Sequence, residues 1–302
     1  MTQSGQATTA TPASSALPAK EVQALVSRYG LKRAGSRASL ADYTRELWQR
    51  RYFIAEFSRA TNASGYSSSM LGQYWQVLTP LLNAGVYYVM FGLILGTSRH
   101  VHNYTGFLVV GVFVFQFIQT SINSGSRALQ SYKSLARTLR FPRAVFPLAS
   151  TSIALEQLLA SLVVLVPIIL LTGESIRVQW IEVVPALALV TMFGTGMAFI
   201  FARIGSKVPD VSQMLPFVLR VWFYFSGIMY SIQQFTKNRP AWVGETMSNN
   251  PATIYVNLFR SAFLGGYGQP LTVWLAGLAW SVVVLAAGYV YFWKAEEDYG
   301  RD

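Results

Sequence analysis

The sequence predicts an all-α membrane protein with six transmembrane helices. Of its 302 residues 52% are hydrophobic and only 12% are charged, whereas soluble globular domains carry roughly 25% charged residues. Six windows contain about 20 mainly apolar residues each, the length that a helix needs to cross a bilayer. Helices are expected because lipid offers no partner to an exposed backbone. Basic residues also alternate along the chain, as they do in multi-pass proteins.

The predicted spans make up a membrane domain over residues 75–293. Polar or turn-forming residues bound each window. The six windows are residues 75–97, 104–123, 147–171, 180–202, 211–232 and 270–293.

The distribution of positive charge sets the expected orientation. Of the 24 Lys and Arg residues, 18 lie in the N-terminal segment, the loops 124–146 and 203–210, and the C-terminal tail 294–302. Only five lie in the alternate segments. Cytoplasmic loops carry the excess of Lys and Arg, so both termini are predicted to be cytoplasmic. The net charge of +11 then reflects topology and attraction to anionic lipid rather than nucleic-acid binding.

Two segments precede the first span. Residues 1–38 begin with a stretch rich in Ser, Thr, Ala and Pro and contain no signal-peptide core, which predicts a disordered cytoplasmic tail. Residues 39–60 alternate apolar and basic positions near helical spacing. They predict either an amphipathic helix on the membrane surface or a cytosolic helix packed on a loop. The residues that favour the membrane surface are Trp48, Tyr52 and Phe53.

Two further segments connect the spans. Loop 124–146 has five basic residues and no acid. It predicts a short helix from about Ser126 to Leu139 that either fixes topology or docks a cytoplasmic partner. The outer segment 233–269 predicts a pair of short interfacial or re-entrant helices, because Pro251 opens an apolar stretch that Gly265-Gly266 ends.

The sequence lacks the residues of common catalytic sites. It has no cysteine, four aspartates, no GxSxG motif and no phosphate-binding P-loop, so no catalytic residue is assigned. Gly194-Thr195-Gly196 lies inside a span and indicates close helix packing rather than a dinucleotide site. His100 and His102 make a weak metal site without nearby acids, and no metal is predicted.

Two charged residues lie inside predicted spans. Arg220 and Glu156 would each cost roughly 2.5 to 3.5 kcal/mol at the centre of a bilayer if they faced lipid. They are expected to form an ion pair or to line a polar conduit. Arg220 is predicted to face the protein interior.

Several short segments, in order, carry a family resemblance. Residues 67–75 read SSSMLGQYW and are followed by LTPL, LRFPR precedes the third span, PDV precedes the fifth, and FSGIMY ends it. Asn250-Pro251 and Arg260 follow in the outer segment. This order resembles the permease subunits of ATP-binding-cassette polysaccharide exporters of the O-antigen, teichoic-acid and galactan class, over roughly residues 40 to 293.

The resemblance implies a transporter permease without enzymatic activity, in the bacterial cytoplasmic membrane. Two copies would pair with two ATPase subunits, which bind the ATP and magnesium, so this chain needs no cofactor. The cargo would be a polysaccharide on a polyprenyl diphosphate, and the resemblance to actinobacterial members implies a galactan. Residues 39–60 would form a gate helix that includes Trp48, Arg50, Arg51 and Tyr52. The residues that would couple the permease to the ATPase are Arg127, Tyr132, Lys133, Arg137 and Arg140.

Aromatic side chains within the spans are candidates for a sugar path, since flat rings let a sugar chain slide without tight capture. The alternative is that they form interface belts, as is expected for Trp75, Trp180, Trp242 and Trp293. The path candidates, with Arg220, are Tyr87, Tyr88, Phe91, Phe113, Phe117, Trp222, Tyr224 and Tyr230. Two other functions stay open: a drug or small-lipid exporter permease, and a polyprenyl-dependent membrane glycosyltransferase.

Overall fold

The computed structural model describes residues 39–66, 70–94, 96, 101–138, 141–297 and 299. Within these ranges the chain is helical and contains no strand, so the predicted all-α class is confirmed. The predicted tail 1–38 lies outside the described residues. The helices are α1 Leu40–Gln49, α2 Arg51–Tyr66, α3 Trp75–Tyr87, α4 Tyr104–Ser131, α5 Lys133–Thr138, α6 Val145–Leu171, α7 Val183–Lys207, α8 Val211–Phe225, α9 Ile232–Thr236, α10 Ala241–Ser248, α11 Pro251–Phe263 and α12 Leu271–Trp293.

Five of the described helical segments are long and apolar enough to cross a membrane. The first includes α3 and the π-helical turn Tyr88–Ile94, and the fourth includes α7 and the 3₁₀ turn Val178–Glu182. The other three are α4, α6 and α12. The remaining predicted span corresponds to α8, whose 15 residues reach about 22 Å at 1.5 Å per residue, short of a hydrocarbon core of about 30 Å. The count of six spans therefore stays a prediction.

Helix α8 ends where the backbone turns back into the protein. Gly227 adopts a positive φ of 60°, a conformation that glycine adopts at no steric cost. The Nη1 of Arg260 then donates to the Gly227 carbonyl at 3.3 Å, and its Nη2 donates to the Ile228 carbonyl at 2.9 Å. Non-helical backbone inside a membrane protein needs such internal partners, so Arg260 allows the chain to leave the helix here.

Helix α4 is the centre of the core. Almost every residue of its first four turns is buried, and α6, α7 and α11 pack around it. Helix α11 is also buried on all sides, so it lies inside the chain rather than resting on an outer interface. Its position supports the re-entrant form of the prediction for this segment.

Small residues bring α7 close to α12. A Cβ atom at Gly196 would lie 2.5 Å from the carbonyl oxygen of Val284. Gly288 in turn approaches the backbone of Gly196. Close approach through small residues is the usual packing of transmembrane helices, and this confirms the interpretation of Gly194-Thr195-Gly196 as a packing motif.

Candidate functional site

Helices α3 and α8 each leave one face uncovered. The aromatic pair Tyr87 and Phe223, with ring centroids 5.0 Å apart, joins the two helices. On each helix the exposed residues recur every three to four positions, so they lie on one side. We call this exposed surface the α3–α8 face; its large apolar members include Leu82, Val86, Met90 and Leu93 from the first span and Met214, Phe217, Val218, Val221, Tyr224 and Phe225 from α8.

Arg220 lies on this exposed face, so the prediction that it faces the interior of the chain is wrong. The side of α8 that packs into the protein carries Leu215, Leu219 and Phe223. One residue further along a helix rotates the side chain by about 100°, which turns Arg220 away from the core. Because a lone arginine facing lipid is costly, this face requires water or a second protein surface.

The aromatic path candidates separate into two groups. Phe113 and Phe117 are each 2% exposed and lie in the core, where both help to line a small cavity between α3, α4 and α6, so a path role for them stays a prediction. Tyr224 is exposed, and the other candidates are half-buried: Tyr87, Tyr88, Phe91, Trp222 and Tyr230. The Nε1 of Trp222 donates to Oδ1 of Asn250 at 2.7 Å, and the Tyr230 hydroxyl donates to the Tyr224 carbonyl at 2.8 Å.

A chain of polar side chains joins the N-terminal helices to two spans. Nε2 of Gln76 donates to Oδ1 of Asn62 at 3.0 Å, and Nδ2 of Asn62 donates to Oε2 of Glu156 at 2.8 Å. Glu156 is therefore bonded to α2 and forms no ion pair with Arg220 among the described residues. Beside this chain lies a polar cavity of about 100 Å³ between α3, α4 and α6, which Gln76, Gln116, Thr120 and Gln157 help to line.

The predicted gate residues form one exposed cluster where α1 meets α2. The single predicted helix is broken at Arg50, and its second part extends to Tyr66. Trp48 and Tyr52 are 69% and 71% exposed. The Arg51 guanidinium lies 5.1 Å from the Trp48 ring centroid and 4.4 Å from that of Tyr52. Exposed aromatic rings bridged by a cation suit a lipid headgroup layer or a protein partner.

The predicted coupling segment begins inside α4. Instead of a separate helix from Ser126, α4 runs unbroken to Ser131, and a short α5 follows. Nη2 of Arg127 donates to the Ser212 carbonyl at 3.2 Å, so it ties α4 to the start of α8. Tyr132 stacks on Phe146, with centroids 5.3 Å apart. Lys133 is exposed, whereas the side chain of Arg137 and the whole of Arg140 lie outside the described residues.

The C-terminal tail holds α1 against the membrane domain. The Tyr43 hydroxyl donates to Oε2 of Glu296 at 2.7 Å and accepts from the backbone N–H of Ala144 at 3.2 Å. Arg143 donates its own N–H to Oε1 of Glu296 at 3.0 Å. Burial raises the pKa of Glu296 above its ordinary value of 4.5, and the hydrogen bonds from Arg143 and Tyr43 oppose this only in part.

Comparison with known protein families identifies the family to which this chain belongs. The model of the ABC-2 type transporter family matches residues 56–264, more than half of the chain. The chain belongs to the ABC-2 type transporter family. The match includes α3, α4, α6, α7, α8 and α11. This assignment confirms that the chain is a multi-pass transporter permease and not itself an enzyme.

Three relatives of this ABC-2 type transporter carry informative names. The O-antigen export system permease protein RfbA of Klebsiella pneumoniae is 26% identical over 225 residues, which cover 73% of this chain and 85% of the relative. A protein of the same name from Myxococcus xanthus is 24% identical over 262 residues, which cover 85% and 97%. The polysialic acid transport protein KpsM of Escherichia coli is 25% identical over 203 residues, which cover 65% and 75%.

Sequence reasoning missed some residues that connect the parts of this transporter. Asn62 lies in a polar stretch with no motif, and its partner Glu156 is 94 positions away. Glu296 had no assigned role, although it binds Tyr43 across 253 positions. A buried Glu in a short tail and an Asn on a helix give no signal by themselves, because only the fold brings each beside its partner.

Proposed function

We propose that this chain is the permease subunit of an ATP-driven exporter that moves a polyprenyl-diphosphate-linked polysaccharide across the bacterial cytoplasmic membrane. The observation that supports this most strongly is the likeness to O-antigen and polysialic acid export proteins over 65% to 85% of the chain. The aromatic and apolar side chains of the α3–α8 face are compatible with a sugar chain passing along it. A galactan is the cargo that we propose from the sequence.

The proposed topology has six crossings and two cytoplasmic termini. Five helical segments are long enough to cross, and α8 with the turn after it would complete the sixth crossing. Five crossings would place the two termini on opposite sides of the membrane. That would contradict the charge distribution, which assigns 18 basic residues to one side. Labelling of cysteines introduced into this cysteine-free chain tests the topology. A cysteine in place of Lys133 should be protected from an outer reagent, whereas one in place of Trp242 should be labelled.

The proposed assembly contains two copies of this chain and two ATPase subunits. The α3–α8 face supports a second copy, because it leaves Arg220 and large apolar side chains uncovered. The ATPase supplies ATP and magnesium sites, which the P-loop-free sequence lacks. We propose that α5 and the end of α4 contact this ATPase, and that α1 and α2 act as the gate.

Reconstitution tests this proposal. The permease and the ATPase encoded beside it are placed in nanodiscs, and ATP hydrolysis is measured with and without the cell's own lipid-linked polysaccharide. We expect stimulation by the lipid-linked glycan and little by the unglycosylated polyprenyl phosphate. Equal stimulation by both lipids would favour a small-lipid exporter, and glycosyl transfer without ATP would contradict export altogether.

A matched pair of variants tests the gate. Arg51→Ala removes the cation between Trp48 and Tyr52, whereas Arg59→Ala removes an exposed arginine of the same helix that pairs with Glu56 at 2.9 Å. We expect Arg51→Ala to lower glycan-stimulated hydrolysis severalfold and Arg59→Ala to leave it nearly unchanged. Equal effects would show that the exposed cluster has no particular role.

A further inference from the structure

A second cavity, on the side that the proposed topology makes extracellular, has no assigned role. Its volume is about 440 Å³, within the roughly 300 to 1,000 Å³ of small-ligand sites. It lies between the start of α4, the turn before α9 and the loop after α11. We call it the outer pocket; its described lining is Val101, His102, Ser231, Gln233, Gln234, Gly265, Gly266 and Tyr267.

The lining of the outer pocket mixes polar and apolar surface and carries no Lys, Arg, Asp or Glu among its described residues. It offers two carboxamides, a hydroxyl, an imidazole and one aromatic ring. These groups donate and accept hydrogen bonds without fixed charge, whereas phosphate recognition usually relies on Arg or Lys. The chemistry therefore fits a neutral ligand with many hydroxyl groups.

One wall of the outer pocket is held rigidly by a buried carboxylate. The side chain of Glu174 is 4% exposed and forms an ion pair with Arg177. Its Oε2 accepts from the backbone N–H of Gly265 at 3.1 Å, and its Oε1 accepts from Nδ2 of Asn103 at 3.3 Å. Its Oε1 also lies 3.7 Å from Nδ1 of the lining residue His102, so an acid does lie near this histidine. The carboxylate thus connects two segments of the lining without being part of the described lining itself.

The wall contains two adjacent glycines. A Cβ at Gly265 would lie 2.6 Å from Nη2 of Arg177, so a side chain there would push the guanidinium away from Glu174. Gly266 has a φ of +81° with open space around it, which leaves the adjoining part of the pocket free of side-chain atoms. Both positions keep the cavity open.

Tyr267 supplies the aromatic wall. Its hydroxyl donates to the His102 carbonyl at 2.9 Å, and its ring packs against Phe107 at 5.6 Å. These contacts hold the ring in place. Sugar rings offer weakly apolar faces, so an aromatic ring beside hydrogen-bonding amides suits a sugar residue better than a flexible peptide.

We propose that the outer pocket holds one or two neutral sugar residues of the exported chain as it leaves the membrane domain. This proposal rests on the proposed function and its topology. The pocket would slow backward movement of the polymer, because each step back breaks hydrogen bonds to Gln233 and to Ser231.

Photo-crosslinking in living cells tests the proposal with the natural cargo. Benzoylphenylalanine replaces Gln233 in the full exporter, and the comparison position is Trp242, which is 67% exposed outside the pocket. After illumination, polysaccharide attached to the permease appears as a high-mass smear that periodate removes, since periodate cleaves sugar diols. We expect at least fivefold more adduct at position 233 than at position 242.

The amount of polysaccharide at the cell surface distinguishes a failure of the proposed function from a failure of the outer-pocket proposal. If deletion of the gene leaves the surface polymer unchanged, the proposed function is wrong. If export is intact but position 233 gives no more adduct than position 242, the outer pocket is not a sugar site and the proposed function stands.

A matched pair covers the case in which the change at Gln233 itself disturbs the fold. The photoreactive group then replaces His102, and Tyr267→Leu is compared with Tyr267→Phe. Leu removes the ring, whereas Phe keeps it and loses only the hydrogen bond to the His102 carbonyl. We expect Leu to lower the adduct at least threefold and Phe to lower it less than twofold. Equal yields in both variants, with export retained, would overturn the proposal.

Discussion

Replacing Arg260 by methionine tests how the chain leaves helix α8. The Arg260 guanidinium is 3% exposed and donates to the carbonyls of Phe107, Gly227 and Ile228 at 2.9 to 3.3 Å. It also lies 3.2 Å from the centroid of the Phe107 ring. No carboxylate pairs with it in the described part of the chain. Methionine retains much of the side-chain length but none of the donors.

The expected loss in the free energy of unfolding is worked out from the carbonyl groups that lose their hydrogen-bond donor. Those of Gly227 and Ile228 lie outside any helix, and an unsatisfied buried acceptor costs about 1 to 3 kcal/mol. Two such groups give about 2 to 6 kcal/mol, and relief of the buried positive charge offsets part of this. We therefore expect Arg260→Met to lower the free energy of unfolding by about 2 to 4 kcal/mol.

The assay is reversible unfolding of the purified permease in mixed detergent micelles. Arg239→Met is the matched control, because Arg239 is exposed and stacks 4.3 Å from the Phe235 ring centroid; its loss should cost no more than about 1 kcal/mol. Arg260→Lys keeps the positive charge, but a single ammonium group does not reach all three carbonyls. We therefore expect this variant to recover less than half of the lost free energy of unfolding. If Arg260→Met proves as stable as the parent, the guanidinium does not hold this turn.

Three further predictions concern other contacts. Gly196→Ala should destabilise the chain by more than about 2 kcal/mol, because its Cβ would meet the backbone of α12. The control Gly85→Ala has open space around it and should be neutral or slightly stabilising. Unfolding in detergent micelles measures both variants. Since the folded state binds a proton on Glu296 more tightly than the unfolded state does, docking of the tail should weaken as pH rises from 4.5 through the raised pKa. Hydrogen exchange of α1 should show this slope, and Glu296→Gln should flatten it. Glu156→Ala leaves Asn62 without its acceptor and should lower glycan-stimulated ATP hydrolysis severalfold, whereas Glu156→Gln, which keeps an oxygen acceptor, should retain most of it; equal losses would contradict the hydrogen-bond argument.

The apolar segments of the sequence predicted the positions of most membrane helices, because a helix of about twenty mainly apolar residues matches the thickness of a bilayer. The same criterion misplaced the end of α4. The small and polar residues from Asn123 to Ser126 predict a break before a separate helix, yet a helix needs no apolar side chains to continue into water. The break at Arg50 and the early end of α8 also left no hydropathy signal.

The placement of Arg220 shows a different limit. The energetic argument that an arginine avoids lipid is sound, but a sequence does not say whether the required polar surroundings come from the same chain. Here the packed stripe through Leu219 and Phe223 fixes the rotation of α8 and turns Arg220 outward. Contacts such as Tyr43 with Glu296 depend on which helices become neighbours, and this is decided only by the whole fold.

The unbroken length of α4 has a mechanical consequence. Its 28 residues extend about 42 Å at 1.5 Å per residue. Near the C-terminal end of α4, Arg127 forms a hydrogen bond with the start of α8. Near its N-terminal end, Phe107 accepts a hydrogen bond from Arg260. A rigid rod of this length that tilts by about 5° swings its far tip by nearly 4 Å, about the size of a side chain. A small tilt of α4 applied at its basic end would therefore shift the contact between Phe107 and Arg260 at its other end by about this distance.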